Sequence, residues 1–356
     1  MMRSTTTVAT TVATTTAVAA TIVASILGGC ATSDDAADSS PTIVTTTTTT
    51  TTETSITTAP GIPETTVAIE TTTTTTASSS STTIPAAPTD PPARAEIAGD
   101  AEAFAARLSA ALATMTDVSE STDARERAGV DYQLVLRALS DRGDLDETVL
   151  GAVDPPARPA VERIVRARQF LQARSASRPP QPLPDELPAW TIAEPEPVDT
   201  LLAHYGEAEA ITGIPWYWLA AIHLQETRMG RIEGVSSADA VGPMQFLPTT
   251  WAECCVGDPT VTRDAIIGAA TYLMQSGGPD DMAAAVFQYN PNDGYVAVVT
   301  AYAESFRDEP ELYIGHHAFQ VFFGASVGTV RLPIGYSETA PIDAAAYLAA
   351  NPQDAA

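Results

Sequence analysis

A tract of about sixty residues, 31–92, limits the folding of this chain more than any other feature: roughly half its positions are Ser or Thr, with unbroken threonine runs at 45–52 and 71–76. A segment without apolar periodicity buries too little surface to offset the entropy lost on ordering, so the expectation is a disordered Thr-rich stalk. Interspersed prolines also make it a candidate for O-glycosylation. As flexible chain it has an r.m.s. reach of roughly 40 to 50 Å, enough to act as a tether. Any packed core therefore has to come from residues 93–356.

The segment ahead of the stalk carries one early cation, Arg3, and then an apolar stretch from about residue 17 to 27. That is well short of the roughly 20 residues needed to span a bilayer, and the pattern reads as a secretory signal over 1–29. Leu27-Gly28-Gly29-Cys30 resembles the bacterial lipobox, in which the Cys thiol takes a diacylglycerol and becomes the new N-terminus. Cys30 is thus the expected lipidation site. The acidic balance, 44 Asp+Glu against 18 Lys+Arg for a formal charge of -26, bears on the partners. Phosphate contacts need a basic surface, so nucleic acid is excluded. An anionic membrane or wall polymer would repel the chain, leaving covalent or apolar attachment. The expected location is extracytoplasmic, as a lipoprotein on the outer face of the cell membrane.

Two further cysteines, Cys254 and Cys255, are adjacent. Neighbouring Cα atoms lie about 3.8 Å apart, below the usual disulfide range, which favours two thiols over a strained vicinal bridge. A metal site would want further ligands at set spacing, and none is expected.

Apolar residues at i, i+3, i+4 spacing mark about three amphipathic helices between 95 and 177, through Phe104, Leu108 and Leu112, then Tyr132, Leu136 and Leu139, then Val161, Ile164, Val165 and Phe170. A Pro-rich stretch over 179–197 follows, where proline density is expected to exclude regular structure. Helices are then expected at 198–210, at 216–230 after Pro215, in a short piece after Pro248, and at 263–274, 282–288 and 295–306. In the second of these Leu219, Ile222 and Glu226 share one stripe. A carboxyl on a buried face is either paired with a cation or held protonated by desolvation, and the protonated form is what a general acid needs.

In order along the chain stand Glu226-Thr227 and Gly230; Ser236; Gly242-Pro243-Met244-Gln245-Phe246, Pro248 and Trp251; Asp264-Ala265-Ile266; and Tyr289-Asn290. This succession resembles the lytic transglycosylases with a lysozyme-like domain, and within them the membrane-bound lytic transglycosylase B type in its actinobacterial form. The resemblance implies a mainly α fold: an α+β lysozyme-like catalytic domain over 198–340, preceded by a helical region over 93–178 and the linker over 179–197, and followed by a tail over 341–356. It implies peptidoglycan glycan strands as substrate and no cofactor. The bond cleaved is the β-1,4 link between N-acetylmuramic acid and N-acetylglucosamine, with a 1,6-anhydro ring formed on the muramyl sugar. Glu226 matches the single acid/base. Ser236 matches a serine that hydrogen-bonds it, while Met244, Gln245 and Phe246 match the loop lining the sugar cleft. Tyr289 and Asn290 match the pair facing the acid, and Tyr295 a further cleft tyrosine, one residue out of the family's spacing.

Asp239 departs from the family, which usually has a small residue there; a turn-forming role is favoured over catalysis. The Asp-rich calcium loop of some relatives is absent from the sequence. His223 precedes Glu226 by three, but without HExxH or a third ligand it reads as a packed histidine, and His316 and His317 read alike. Two rival functions remain: a hydrolytic muramidase of the same fold using Asp239, and a catalytically inactive glycan-binding lipoprotein. An intact acid weighs against the second. No protein partner is legible.

Overall fold

The computed structural model describes residues 100–177 and 182–356. The signal segment, Cys30 and the Ser/Thr-rich tract lie outside them. The first helix, α1 (Ala101–Thr116), starts where the Asp100 carboxylate accepts the Ala103 N–H, and α2 (Thr122–Asp141) where Ser121 accepts from Ala124. A short α3 (Asp146–Gly151) and a long α4 (Arg158–Ala176) complete this region. Leu108, Tyr132, Leu136, Leu139, Val161, Ile164 and Val165 are buried as their spacing requires. Phe170 is not: it is 43% exposed, with the Arg174 guanidinium 5.7 Å above its ring. The apolar stripe ends one turn earlier than the periodicity suggests.

The Pro-rich stretch does carry regular structure, contrary to expectation. Strands β1 (Glu186–Leu187) and β2 (Thr191–Ile192) use its non-proline positions. Each is two residues long and lies at an edge, where a missing proline N–H removes no ladder bond.

Helices α5 (Val198–Thr212) and α6 (Trp216–Thr227) follow, then strand β3 (Ile232–Glu233). Next come α7 (Pro248–Cys254), α8 (Thr262–Gln275), α9 (Met282–Tyr289), α10 (Asp293–Asp308) and α11 (Pro310–His317), close to the expected ranges. Every residue of α6 from Leu219 to Thr227 is buried, the mark of a helix enclosed by its neighbours. It packs on α10, and α10 also packs on α4, so the N-terminal helices brace the segment that carries Glu226. A buried cation adds to this contact: Arg231, 1% exposed, pairs with Glu126 of α2 at 3.0 Å.

The chain closes with a hairpin, β4 (Val321–Ala325) and β5 (Gly328–Leu332), then strand β6 (Ile342–Asp343) and helix α12 (Ala344–Ala350). Strand β1 pairs with β6 and β2 with β3, both antiparallel, which stitches the Pro-rich stretch to segments far along the chain. Leu187, Trp190, Ile192, Ile232, Phe323 and Leu332 form a second, smaller core there. Cys254 and Cys255 are joined in a vicinal disulfide with Cα atoms 3.7 Å apart, which corrects the preference for two thiols. They straddle the end of α7, Cys254 its last helical residue and Cys255 its extended cap, so the pair has neither the helical nor the strand relation of neighbouring side chains. No described helix is long and apolar enough to cross a membrane.

Candidate active site

The N-terminus of α6 is set by Pro215 and by the Glu209 carboxylate, which accepts the Trp216 N–H at 3.1 Å. Its other end stops abruptly, with Arg228, Met229 and Gly230 left-handed in succession at φ 57, 60 and 87. For two non-glycine residues this costs roughly 1 kcal/mol or more each, a strain placed directly after Glu226.

Glu226 is 5% exposed, and burial pushes its carboxyl up to about 7, against smaller opposing effects from the Tyr295 hydroxyl and from Arg228. Among the described residues no cation forms an ion pair with it: Arg231 is engaged by Glu126, and Arg228 donates to the Leu224 carbonyl. Of the two fates open to a buried carboxyl, desolvation prevails. The direct partner is Tyr295, whose hydroxyl donates to Glu226 Oε1 at 2.5 Å. Tyr295 reaches it from the first turn of α10, where Asn292 Oδ1 accepts from the N–H groups of Gly294 and Tyr295 and so fixes the helix start.

The motif after β3 folds as a tight turn. Val241 and Phe246 exchange backbone hydrogen bonds at 2.9 and 3.0 Å, and Gly242 and Gln245 take positive φ. Two carbonyls of the turn are pinned from below: Thr227 Oγ1 donates to Pro243 O at 2.6 Å, and the Tyr289 hydroxyl to Met244 O at 2.5 Å. The end of α6, the turn and the end of α9 thus form one unit.

A cleft of about 400 Å³ opens over it, lined by Glu226, Gln245, Phe246, Leu247, Thr250, Tyr272, Tyr289 and Asn290. Five of the expected residues therefore meet at one surface. Gln245 donates to Gly242 O at 2.8 Å, while its Oε1 is buried without a partner among the described residues. Two others, Met244 and Ser236, take different places. Met244 is fully buried and contributes its carbonyl, not its side chain. Tyr289, which lines the cleft together with Glu226, holds that carbonyl with its hydroxyl. Ser236 accepts from the Ala238 and Ala240 N–H groups at 3.1 and 2.9 Å, making no hydrogen bond to Glu226; it serves the loop's own turn. Tyr295, one residue out of the family's spacing, is among the described residues the one whose side chain bonds the acid.

Asp239 is exposed, with φ 64, its N–H bonded to Ser236 O, which is turn chemistry. His223 is buried against the Tyr205 hydroxyl at 2.8 Å and pushed down to about 3 by burial, a packed neutral histidine as read. Sequence reasoning missed Thr227, Leu247, Thr250 and Tyr272. Thr227 and Thr250 lie inside the quoted motifs, and Tyr272 was hidden on an amphipathic helix. No group of three or more His, Cys, Asp or Glu among the described residues could hold a metal ion.

A raised carboxyl has a measurable consequence. Between its ordinary value of 4.5 and about 7 the folded chain holds a proton that the unfolded chain releases. Stability is therefore lost as pH rises through that window, in total by about 3 kcal/mol. Glu226→Gln removes the titration. Its stability relative to the parent chain, measured by urea unfolding, is expected to improve by that amount from pH 4.5 to 8; a pH-independent difference would show an ordinary carboxyl.

Comparison with known proteins adds one finding. Over 124 residues, 33% of this chain, the sequence is 28% identical to membrane-bound lytic murein transglycosylase F of Thiobacillus denitrificans. The matched part spans 26% of that relative's length. No family model matches the chain, and no solved structure does.

Proposed function

We propose that the chain is a peptidoglycan lytic transglycosylase of lysozyme-like fold. The observation that carries the proposal is a single buried carboxyl, pushed up to about 7 by desolvation, on a cleft whose lining holds no second carboxylate. Glycoside hydrolysis ordinarily uses two flanking carboxylates, one of them acting on water or on the sugar. One carboxyl suffices where the substrate supplies its own nucleophile. Glu226 donates its proton to the oxygen between N-acetylmuramic acid and N-acetylglucosamine, and the N-acetyl oxygen of the muramyl sugar steadies the cationic carbon. The resulting carboxylate takes the proton from the muramyl 6-hydroxyl, whose oxygen closes the 1,6-anhydro ring. A carboxyl near 7 can serve both steps, since acid and base forms are both accessible.

Other residues have supporting roles. The Tyr295 hydroxyl orients Glu226 and stabilises its carboxylate form. Gln245 offers an unpaired acceptor for a sugar hydroxyl, and Phe246, Tyr272 and Tyr289 give the cleft an aromatic wall, with Phe246 and Tyr289 rings edge-to-face at 5.6 Å. The relative's printed name supports the same activity. The order of motifs from Glu226 to Asn290 supports the B type, and the succession of helices from Val198 to His317 the lysozyme-like domain.

The muramidase alternative requires a second carboxylate, for which Asp239 is the candidate. Expected is that Asp239→Asn retains activity on purified cell wall within about twofold, as for a surface turn residue. Loss of activity in this variant would turn the reading towards hydrolysis.

Placement at the outer face of the membrane rests on Cys30. Cys30→Ala is expected to move the mature protein from the membrane fraction to the medium or to block its processing. A lipid-modified cysteine with two or three acyl chains holds a domain without any basic patch. Unchanged retention with normal processing would remove the anchor from the account.

A further inference from the structure

A second pocket, open to solvent, shares no residue with the cleft around Glu226. Arg137 of α2, Arg168 of α4 and Arg228 at the end of α6 line it, together with Tyr302 of α10 and the rings of Phe319 and Phe322. Three guanidinium groups at one concavity are unexpected in a chain of formal charge -26. Most of the other described arginines find carboxylates, as Arg107 does in Asp131, Arg163 in Glu304, Arg231 in Glu126 and Arg331 in Asp354. Among the described residues, no carboxylate forms an ion pair with Arg168 or Arg228.

The bonds these two do make leave most of their donors over. A guanidinium carries five N–H groups. Arg228 is 6% exposed, spends one nitrogen on the Leu224 carbonyl at 2.6 Å, and has its Nε buried without a partner. Among the described residues Arg168 makes one hydrogen bond, at 3.4 Å from Nε to Ser140 Oγ. Burying a cation without an opposite charge is costly, and burial together with Arg168 already pulls Arg228 down to about 10. The combination is what a ligand-supplied anion would resolve, since planar forked donors match carboxylate and phosphate oxygens. The pocket opens to solvent, and beside the three arginines its wall is apolar and aromatic except at Gln133, from Leu136, Tyr302, Phe319 and Phe322.

We propose that this pocket binds an oxyanion, a carboxylate or a phosphate, carried on a ligand with an apolar or aromatic body, with Arg168 and Arg228 as its anchors. The site is separate from the proposed reaction, and its test reads binding rather than cleavage, so either can fail alone.

The probes are inorganic phosphate, phenyl phosphate and benzoate, titrated calorimetrically into the full mature chain at constant ionic strength in chloride. Saturable binding of at least one organic anion is expected, with phenyl phosphate tighter than inorganic phosphate if the ring body contributes. Binding of phenyl phosphate without benzoate identifies a phosphorylated ligand, and the reverse a carboxylate. Arg168→Gln is expected to weaken the constant tenfold or more, as for loss of a charge-assisted hydrogen bond. Arg107→Gln, whose guanidinium is paired outside the pocket, leaves it unchanged. Arg228→Gln weakens binding similarly where it folds; where it does not, the half-buried Arg168 decides alone. No saturable binding by any probe, or binding indifferent to Arg168→Gln, overturns the proposal.

Discussion

Glu226→Gln is expected to lower the rate of glycan cleavage by about 10² to 10⁴-fold while leaving the fold intact. The amide keeps the volume and can still accept from Tyr295, but it has no proton to give the leaving oxygen and no charge with which to take one from the muramyl hydroxyl. Loss should appear in kcat and not in glycan binding, because the groups lining the rest of the cleft are untouched. A circular-dichroism melt at or above that of the parent at pH 8 confirms folding, since the cost of a buried carboxylate is gone. Activity within tenfold of the parent would mean that another group transfers the proton.

The second large effect lies in the backbone. Gly242 opens the turn that presents Gln245 and Phe246, at φ +75, and a Cβ there would stand 1.8 Å from the Pro259 carbonyl oxygen. Backbone cannot swing aside as a flexible side chain can. Gly242→Ala is therefore expected to cost about 2 to 4 kcal/mol, overpacking and left-handed strain together. The turn also carries the carbonyls held by Thr227 and Tyr289, so its displacement moves the cleft wall, and activity should fall by tenfold or more even below the melting range. Wild-type stability and activity in this variant would show that the turn is not held as described.

Legibility varied with the kind of interaction. Helices with a long apolar stripe, such as α8 and α10, announce themselves because burial on one face repeats every three to four residues. Two-residue strands do not: β1 pairs with β6 across more than 150 residues of chain, and no local period records such a partner. The burial of Glu226 could be read from its stripe, but its hydroxyl partner could not. Ser236 occupies the expected position in the motif order, yet its hydroxyl accepts from the Ala238 and Ala240 N–H groups of its own loop. Tyr295 takes the acid because Asn292 starts α10 at the right residue, a capping detail that motif spacing alone misplaces by one. Cys254 and Cys255 went astray for a similar reason, since Cα spacing is blind to the break in conformation at the end of α7.

The central claim, one carboxyl working without a water nucleophile, is tested most directly by the mass of the products from purified peptidoglycan digested with the mature protein. Expected are muropeptides ending in 1,6-anhydro-N-acetylmuramic acid, about 18 Da lighter than their hydrolysed counterparts because no water is added across the bond. Products with free reducing ends in their place would contradict it and assign the cleft to a hydrolase.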